Sequence, residues 1–591
     1  MKKIVLLFLA LMLVTFALVA CADGDDAPDA TPAPTETTEP AETPEPTPEP
    51  TPPPPAEEGD PLLEANGLEL VDGNFRFTET RHIVASLWDR ANERQTMFSE
   101  SHWAEWVAEQ MLEIHNIEVE WAQFRRWPDG EDMVNRIAAG DQLDVAFDFG
   151  FDRIQPLADM GAIHDLTPLL AEYGSLLPNM YELLGDLVVR NRDPNPPHQM
   201  WGIANYQTAD TRINTFVRED WLEALDLPLP TTLQEFEDML FAFRDNAELL
   251  LGANANRMIP FQASSDLGWT ADPIFTSFIP DDITEREWFR YGFDDRRFTM
   301  PNIKEGFRVI NNWYNEGLLF DDFALFDHQD PVFADNARLG IVGAFAANWD
   351  WPFREDPGII AGLQEEVGPE ANFVVVTPFP NESGQQVMHM PQATDRVIVI
   401  PATAGDPLAA LLYIDFMSRP ETIAYLSFGV EGINHTRTAD GLFEMIGADY
   451  IDDDDMIIVS VRNFDLNMMV GANGVFTGDP ELDVRQRASA LAGIPIEEVE
   501  AAILAQENHK RIMRFVQVGD IPEEGMFGAG LYSIRDEVLS LAVTASVDDF
   551  DAVWDAGMAN YMASGGQQIL DARDAAWVRT FGDVPNMPEV D

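Results

Sequence analysis

Only one cysteine, Cys21, occurs among the 591 residues. A lone thiol cannot close an internal disulfide, and a zinc site built from cysteines is impossible. Lysine is nearly as scarce. Lys2 and Lys3 lie at the start of the chain, and only Lys304 and Lys510 follow. Neither of these comes after a glycine, so no Gly-Lys phosphate-binding loop exists and P-loop nucleotide hydrolysis is excluded. The sequence also lacks a Gly-x-Ser-x-Gly elbow, a His-Glu-x-x-His pair and a complete dinucleotide fingerprint; "GAGLYS" (528–533) is short of its last glycine. The histidines are scattered, and "DYIDDDDMI" (449–457) has acids without the turn glycine of a calcium loop, so it reads as a solvated loop. No metal and no cofactor is expected. Bases are outnumbered, 36 against 103 acids, for a formal charge of −67. Such a surface repels phosphates, which makes nucleic acid and anionic lipid headgroups poor partners for the body of the chain.

The beginning of the chain has a plan of its own. Met1-Lys2-Lys3 supplies positive charge, and Ile4 to Ala20 is apolar apart from Thr15. That is the layout of a secretory signal peptide, and it is short for a permanent membrane span, which needs about 20 apolar residues. "LVAC" (18–21) resembles the bacterial lipobox, in which the signal is cut before a cysteine that then receives a lipid; the alternative is an uncleaved anchor helix with an incidental thiol. Residues 1–20 are therefore read as the signal and Cys21 as the lipidation site. Residues 21–60 form a linker in which "TPAPTETTEPAETPEPTPEPTPPPP" can bury no core and favours extended polyproline geometry. About 40 such residues at ~3.1 Å each reach on the order of 100 Å. The expected location is the outer face of a cell membrane of the Gram-positive type, held by lipid, with the body from residue 61 onward outside the cell.

The body is too long for one hydrophobic core, since single cores stop growing at about 250–300 residues. Strand and helix patterns alternate along it. "HIVASLW" (82–88) reads as a strand, and "SHWAEWVAEQMLEIHN" (101–116) as a helix whose Trp103 and Trp106 lie on one packing stripe. "IEVEWAQF" (117–124) returns to period two, and a helix stopped at Gly140 leads into the apolar strand of "DVAFDFG". "INTFV" is a strand, and Thr232-Leu233-Gln234-Glu235 is a capping box opening an amphipathic helix. "NFVVVTPF" and "RVIVIPA" are strands, followed by a helix pair broken at Pro420. The βαβα order predicts an α/β fold with a mainly parallel sheet and helices on both faces.

Several blocks in this order resemble the extracellular solute-binding proteins of ABC importers, in the maltodextrin-like family and its long Gram-positive lipoprotein branch. They are "MVNRIAAGDQLDVAFDFGFDRIQPLADMGAIHDLTPLL", "WGIANYQTADTRINTFVREDWLEALDLPLPTTLQEFEDML", "ARLGIVGAFAANW" and "VIVIPATAGDPLAALLYIDFMSRPETIAYLSFGVEGINHT". Together they span roughly residues 130 to 436, and the C-terminal part matches only loosely. The resemblance implies a two-lobed type II fold with discontinuous lobes joined by a hinge. The expected division is lobe 1 near 75–208 plus 376–430, and lobe 2 near 209–375 plus 431–591. It further implies a monomer that closes on a small ligand, mostly a sugar, and presents it to a membrane permease, without catalysis.

Sugars call for flat aromatic faces and planar polar groups. In "FDFGFDR" (147–153), which ends a buried strand, Asp152 and Arg153 look like the acid and base of the maltodextrin type, with Phe149 or Phe151 as the stacking face; a loop salt bridge is the alternative. In "AANWDWPF" (346–353), Trp349 is similar to the family's stacking tryptophan, and Trp351 with Asp350 completes the turn. Trp269 in "SSDLGWTADP" and Trp88 in "SLWDR" are candidates of the same kind. Tyr206, Asp210 and Arg212 border the crossover, serving the site or the hinge, and Glu431 is read as orienting a loop. Arg125-Arg126 and Arg296-Arg297 are unusual in so acidic a chain and read as salt-bridge formers rather than uronate binders. Two other readings remain open: the same fold binding a peptide or another solute, and a surface glycoside hydrolase, suggested only by the abundance of acids and by secretion.

Overall fold

The computed structural model describes residues 53–89, 102–125, 131–149, 154–189, 192, 197–205, 213–291, 297–354, 358–390, 396–439, 441–446, 466, 469–471, 479–491, 494–506, 510–513 and 521–586. The signal segment, Cys21 and nearly all of the proline-rich linker lie outside this set. No helix among the described residues is long and apolar enough to cross a membrane.

The first sheet grows from a local βαβ unit. Strand β1 (Arg81–Asp89) is buried from Ile83 through Trp88, the helix His102–His115 packs Trp103, Val107 and Met111 inward, and β2 (Ile117–Arg125) returns parallel to β1. The helix Glu131–Ala139 then stops where Gly140 adopts φ 79°, a conformation open to glycine without strain, and β3 (Ala146–Phe149) follows. A parallel bridge from Ala85 to Val145 joins this end of the chain to β1. Residues 63–204 and 397–426 contribute to one continuous core.

Two strands depart from the expected parallel order. Strand β4 is Ile203–Ala204, and β9 (Arg396–Val399) returns from far along the chain to lie between β3 and β4, antiparallel to both. The second sheet has a similar insertion. It is ordered β8-β5-β7-β6, with β5 Ile213–Arg218, β6 Ile259–Gln262, β7 Val342–Asn348 and β8 Phe373–Val376. Only β6 and β7 run parallel; β5 is antiparallel to β7 and β8. The sheets are therefore mixed rather than mainly parallel. Local connections still obey the βαβ rule, but β5 and β9 enter immediately after segments that leave the other sheet, and so arrive from the opposite end.

The second sheet is covered on two sides by separate cores. One gathers Trp221, Phe236, Phe261, Phe307 and Trp313, and the other gathers Phe216, Phe333, Phe345 and Phe373. The helix Leu233–Asp245 begins at Thr232, whose hydroxyl accepts from the Glu235 N–H at 3.2 Å. The Glu235 carboxylate reaches one residue further back than a simple capping box, to the N–H and hydroxyl of Thr231, both at 2.8 Å. These bonds hold Glu235 below the usual carboxylate range. "GAGLYS" lies within the long helix Pro522–Thr544 and forms no loop.

The chain's few cations fasten its last helices to the second sheet's lobe. Lys304 binds Asp551 and Asp555 at 2.8 and 2.7 Å, Arg308 binds Asp551 at 2.8 Å, and Arg286 binds Asp574 at 2.8 Å and Asp583 at 2.6 Å. On the helix Ile303–Asn315, the Asn311 amide donates to the carbonyls of Ala542, Val543 and Ala545, which helix geometry leaves without partners.

Candidate functional site

The strands that open after each crossing between the sheets pair with the ends of neighbouring strands. Strand β4 finishes at Ala204, and β5 begins at Ile213, whose register partner is Asn348 at the end of β7. On the return, β9 begins at Arg396, paired with Phe149 at the end of β3. The carboxyl ends of β3 and β7 thus pair with the first residues of β9 and β5, and β6, parallel to β7, ends at the same edge. Strand ends of this kind are where open α/β sheets place ligands.

At the end of β7, Trp349, Asp350 and Trp351 are all partly exposed. Trp351 is held edge-on by Phe345 at 5.1 Å and Phe333 at 5.5 Å, and Trp349 packs on the same core. Asp350 is engaged by Arg354 in a paired hydrogen bond at 2.9 and 2.7 Å, one helical turn later. That pair fixes the turn and cancels its charge.

Strand β6 runs parallel to β7, so the loop after Gln262 reaches the same edge. It leads into the short helix Leu267–Thr270, which touches β7 and carries Trp269 half-buried. The indole lies nearly parallel to the His328 imidazole, with centroids 5.4 Å apart and planes 22° apart. Nδ1 of His328 is 3.5 Å from Asp266. Burial lowers the His328 pKa against the pull of Asp266 and Asp327, so the ring is neutral at neutral pH. Arg297, buried, pairs with Asp272 and donates to the Gly268 carbonyl at 3.3 Å. It is a structural ion pair, as expected for this arginine.

On the first sheet, Trp88 is 4% exposed and packs on Phe147 at 4.6 Å, with the Arg396 guanidinium 5.8 Å from its ring. So enclosed an indole has no free face, and Trp88 is a packing residue in this conformation. Phe149 closes β3 opposite Arg396. Asp152, Arg153, Tyr206, Asp210 and Arg212 lie outside the described residues, as do Arg126, Arg296 and the acidic loop 449–457. Glu431 bridges to His435 and lies 4.0 Å from Arg437, within a local turn. Trp103 and Trp106 pack against Tyr425, at 5.1 and 4.2 Å.

Sequence reasoning missed several polar residues at these strand ends. Asn205 exchanges hydrogen bonds with Arg396, through its own N–H to the Arg396 carbonyl and from the Arg396 N–H to its side chain. Gln506 donates at 2.7 Å both to the Ile213 carbonyl and to Asn214 Oδ1, tying the C-terminal part to the start of β5. His328 was legible only as one scattered histidine, because stacking between distant loops leaves no periodic trace.

Among solved structures, the chain is similar to the Streptococcus pneumoniae ABC-transporter substrate-binding protein FusA, crystallised with fructo-nystose. The TM-score is 0.61 at 14% identity, covering 84% of this chain and 99% of that one. It is also similar to the alginate-binding protein AlgQ2, with a TM-score of 0.58 at 16% identity over 84% and 98%. These likenesses establish the two-lobed solute-binding fold. In sequence, it is 24% identical over 296 residues to Lipoprotein LipO of Bacillus subtilis (strain 168). That match covers 48% of this chain and 54% of LipO, so the chain spans about half the length of the curated relative it matches. The model of the bacterial extracellular solute-binding protein family, a family of binders rather than enzymes, matches residues 101–424. That is more than half the chain, and the protein belongs to this family.

Proposed function

We propose that the protein is a lipid-anchored extracellular receptor that captures an oligosaccharide between its two lobes and delivers it to an ABC permease. The observation that carries the sugar assignment is that two partly exposed indoles, Trp349 directly after β7 and Trp269 in the helix that follows β6, lie beyond the ends of neighbouring parallel strands. Indole faces suit the C–H surfaces of sugar rings, and clefts between lobes are where small ligands bind. The names of the fold neighbours, which include a fructo-nystose complex and an alginate-binding protein, support the same class. Phe149, Asp152, Arg153, Tyr206 and Asp210 are assigned to the polar and aromatic remainder of the site, and Asp350 to holding its turn.

Closure on the sugar would change the surroundings of both indoles. Titrating the protein with a broad oligosaccharide panel should shift tryptophan emission and raise the melting temperature. A panel that moves neither removes the sugar assignment, and a response to peptides alone would transfer the fold to that ligand class. Anchoring rests on Cys21. Radiolabelled fatty acid should enter the wild-type chain, and Cys21→Ala should be unlabelled and released into the medium.

A further inference from the structure

Trp269 stands on a loop whose backbone is tied down on both sides of it. The Ser264 N–H donates to Thr270 Oγ1 at 2.9 Å, and the Thr270 hydroxyl donates to the Asp266 carbonyl at 3.0 Å. Ser264 and Thr270 are wholly buried. Arg297 reaches the loop from elsewhere in the lobe, donating to the Gly268 carbonyl at 3.3 Å and pairing with Asp272. Position 269 therefore has little backbone freedom, and what is left to fix is the direction of its side chain.

A second loop lies where it can do that. The Ser265 N–H donates to the Phe326 carbonyl at 2.8 Å, which brings the segment carrying His328 alongside. The segment is itself held: the Phe326 ring is stacked on Phe320, which packs on both cores of the second lobe, and Asp327 accepts from the Gln329 N–H at 2.7 Å. Its imidazole then covers the indole nearly face to face, 22° from parallel.

We propose that His328 is a positioning residue, whose ring holds the Trp269 indole in the orientation that receives a sugar. This rests on the receptor function proposed above and adds a residue that acts on the sugar through another. An indole left free to turn must be ordered when the sugar binds, and that cost is subtracted from affinity. A stack already made in the free protein removes it. The role calls for a flat ring at position 328, so phenylalanine should serve and alanine should not.

The test is a double-mutant cycle, read by calorimetry on the full-length chain with malto-, fructo- and mannan-derived oligosaccharides. For whichever series binds, Trp269→Ala should weaken it. His328→Ala should weaken it about three- to tenfold, the cost of ordering one side chain, and His328→Phe should restore it. In a Trp269→Ala background, His328→Ala should make no further difference, because its effect runs through the indole. Melting curves confirm that each variant folds. A readout without sugar comes from fluorine NMR of the free protein labelled with 5-fluorotryptophan. The resonance missing from Trp269→Ala should shift in His328→Ala and stay near its wild-type position in His328→Phe. Full affinity in Trp269→Ala or His328→Ala, no rescue by phenylalanine, or an equal loss in both backgrounds overturns the proposal while leaving the receptor intact. Failure of every oligosaccharide to bind overturns both.

Discussion

Arg419 donates a hydrogen bond through Nη2 to Nε2 of His115, 3.1 Å away, in the core of the first lobe. An imidazole can accept from a guanidinium only while that nitrogen is unprotonated. The other ring nitrogen, Nδ1, lies 2.7 Å from the Phe75 carbonyl, so it carries the hydrogen and donates. The two contacts select one neutral tautomer, and burial together with the Arg419 charge lowers the His115 pKa to about 4.

The first prediction concerns this pair. Below about pH 6.5 the unfolded chain protonates His115 while the native state does not, until about pH 4. The unfolded state binds more protons in that window, so His115 makes stability rise with pH across it and fall on acidification. The full effect is about 3 kcal/mol for the lowered value. His115→Gln should lose this slope between pH 4 and 6.5, as read from urea unfolding at a series of pH values.

Asp415, one turn before Arg419, has the opposite sign. It accepts from the Asn179 side chain at 2.7 Å and the Met180 N–H at 2.9 Å, capping the helix Pro178–Leu184 from outside. Burial nevertheless outweighs these bonds and raises its pKa to about 6. Here the native state binds the extra proton between about pH 4 and 6, so stability falls as pH rises through that range and is level above it. Asp415→Asn should remove the fall. Relative to wild type, the variant's unfolding free energy should gain as pH rises from 4 to 6, whereas His115→Gln should lose.

Arg218 ends β5 almost wholly buried. It holds Asp220 at 2.8 and 2.7 Å, donates to the Gly340 carbonyl at 2.8 Å and lies 4.7 Å from the Trp221 ring. Removing one partner of such a pair leaves the other poorly compensated, at about 3 kcal/mol. Arg218→Ala should lower the urea midpoint accordingly. Arg218→Lys should recover little, because an ammonium cannot supply the paired geometry or the stacked plane.

Trp349 and Trp103 should separate binding from packing. Trp349→Ala is expected to weaken oligosaccharide binding by at least about tenfold with only a small change in melting temperature. Trp103→Ala, which empties a core position against Tyr425, should lower stability by about 3–5 kcal/mol and leave affinity nearly unchanged in the folded fraction. Equal effects of both variants on affinity would argue against Trp349 as a ligand contact.

The local units were the legible part of this fold. The apolar run in "HIVASLW", the stripe of Trp103, Val107 and Met111 and the glycine stop at 140 each act over a few residues, and the strands and helices formed where they indicate. The direction of β5 and β9 was not legible, because it depends on which sheet the preceding segment has just left. Buried Arg218 and Arg396 do have a trace in sequence, an arginine at the end of a strand in "INTFVR" and "RVIVI"; the acid that holds Arg218 is only two residues on, whereas Asn205, the partner of the Arg396 backbone, is distant. At the site, the clustering of Trp349, Asp350 and Trp351 was visible. Arg354 four residues after Asp350 is an ordinary helical spacing that could have identified the acid's partner. The pairing of Trp269 with His328 depends on two loops meeting in space and could not be read.

Strand β9 lies at the middle of the first sheet, yet its residues follow the whole span from β5 to β8 along the chain. As the polypeptide is synthesised amino end first, β3 and β4 appear long before the strand that joins them. Until Arg396 and its neighbours arrive, both present unsatisfied edges to any passing chain. The first lobe to be started is thus completed only after the strands of the second have been made, and a product cut short before β9 would be a candidate for aggregation rather than a smaller folded protein.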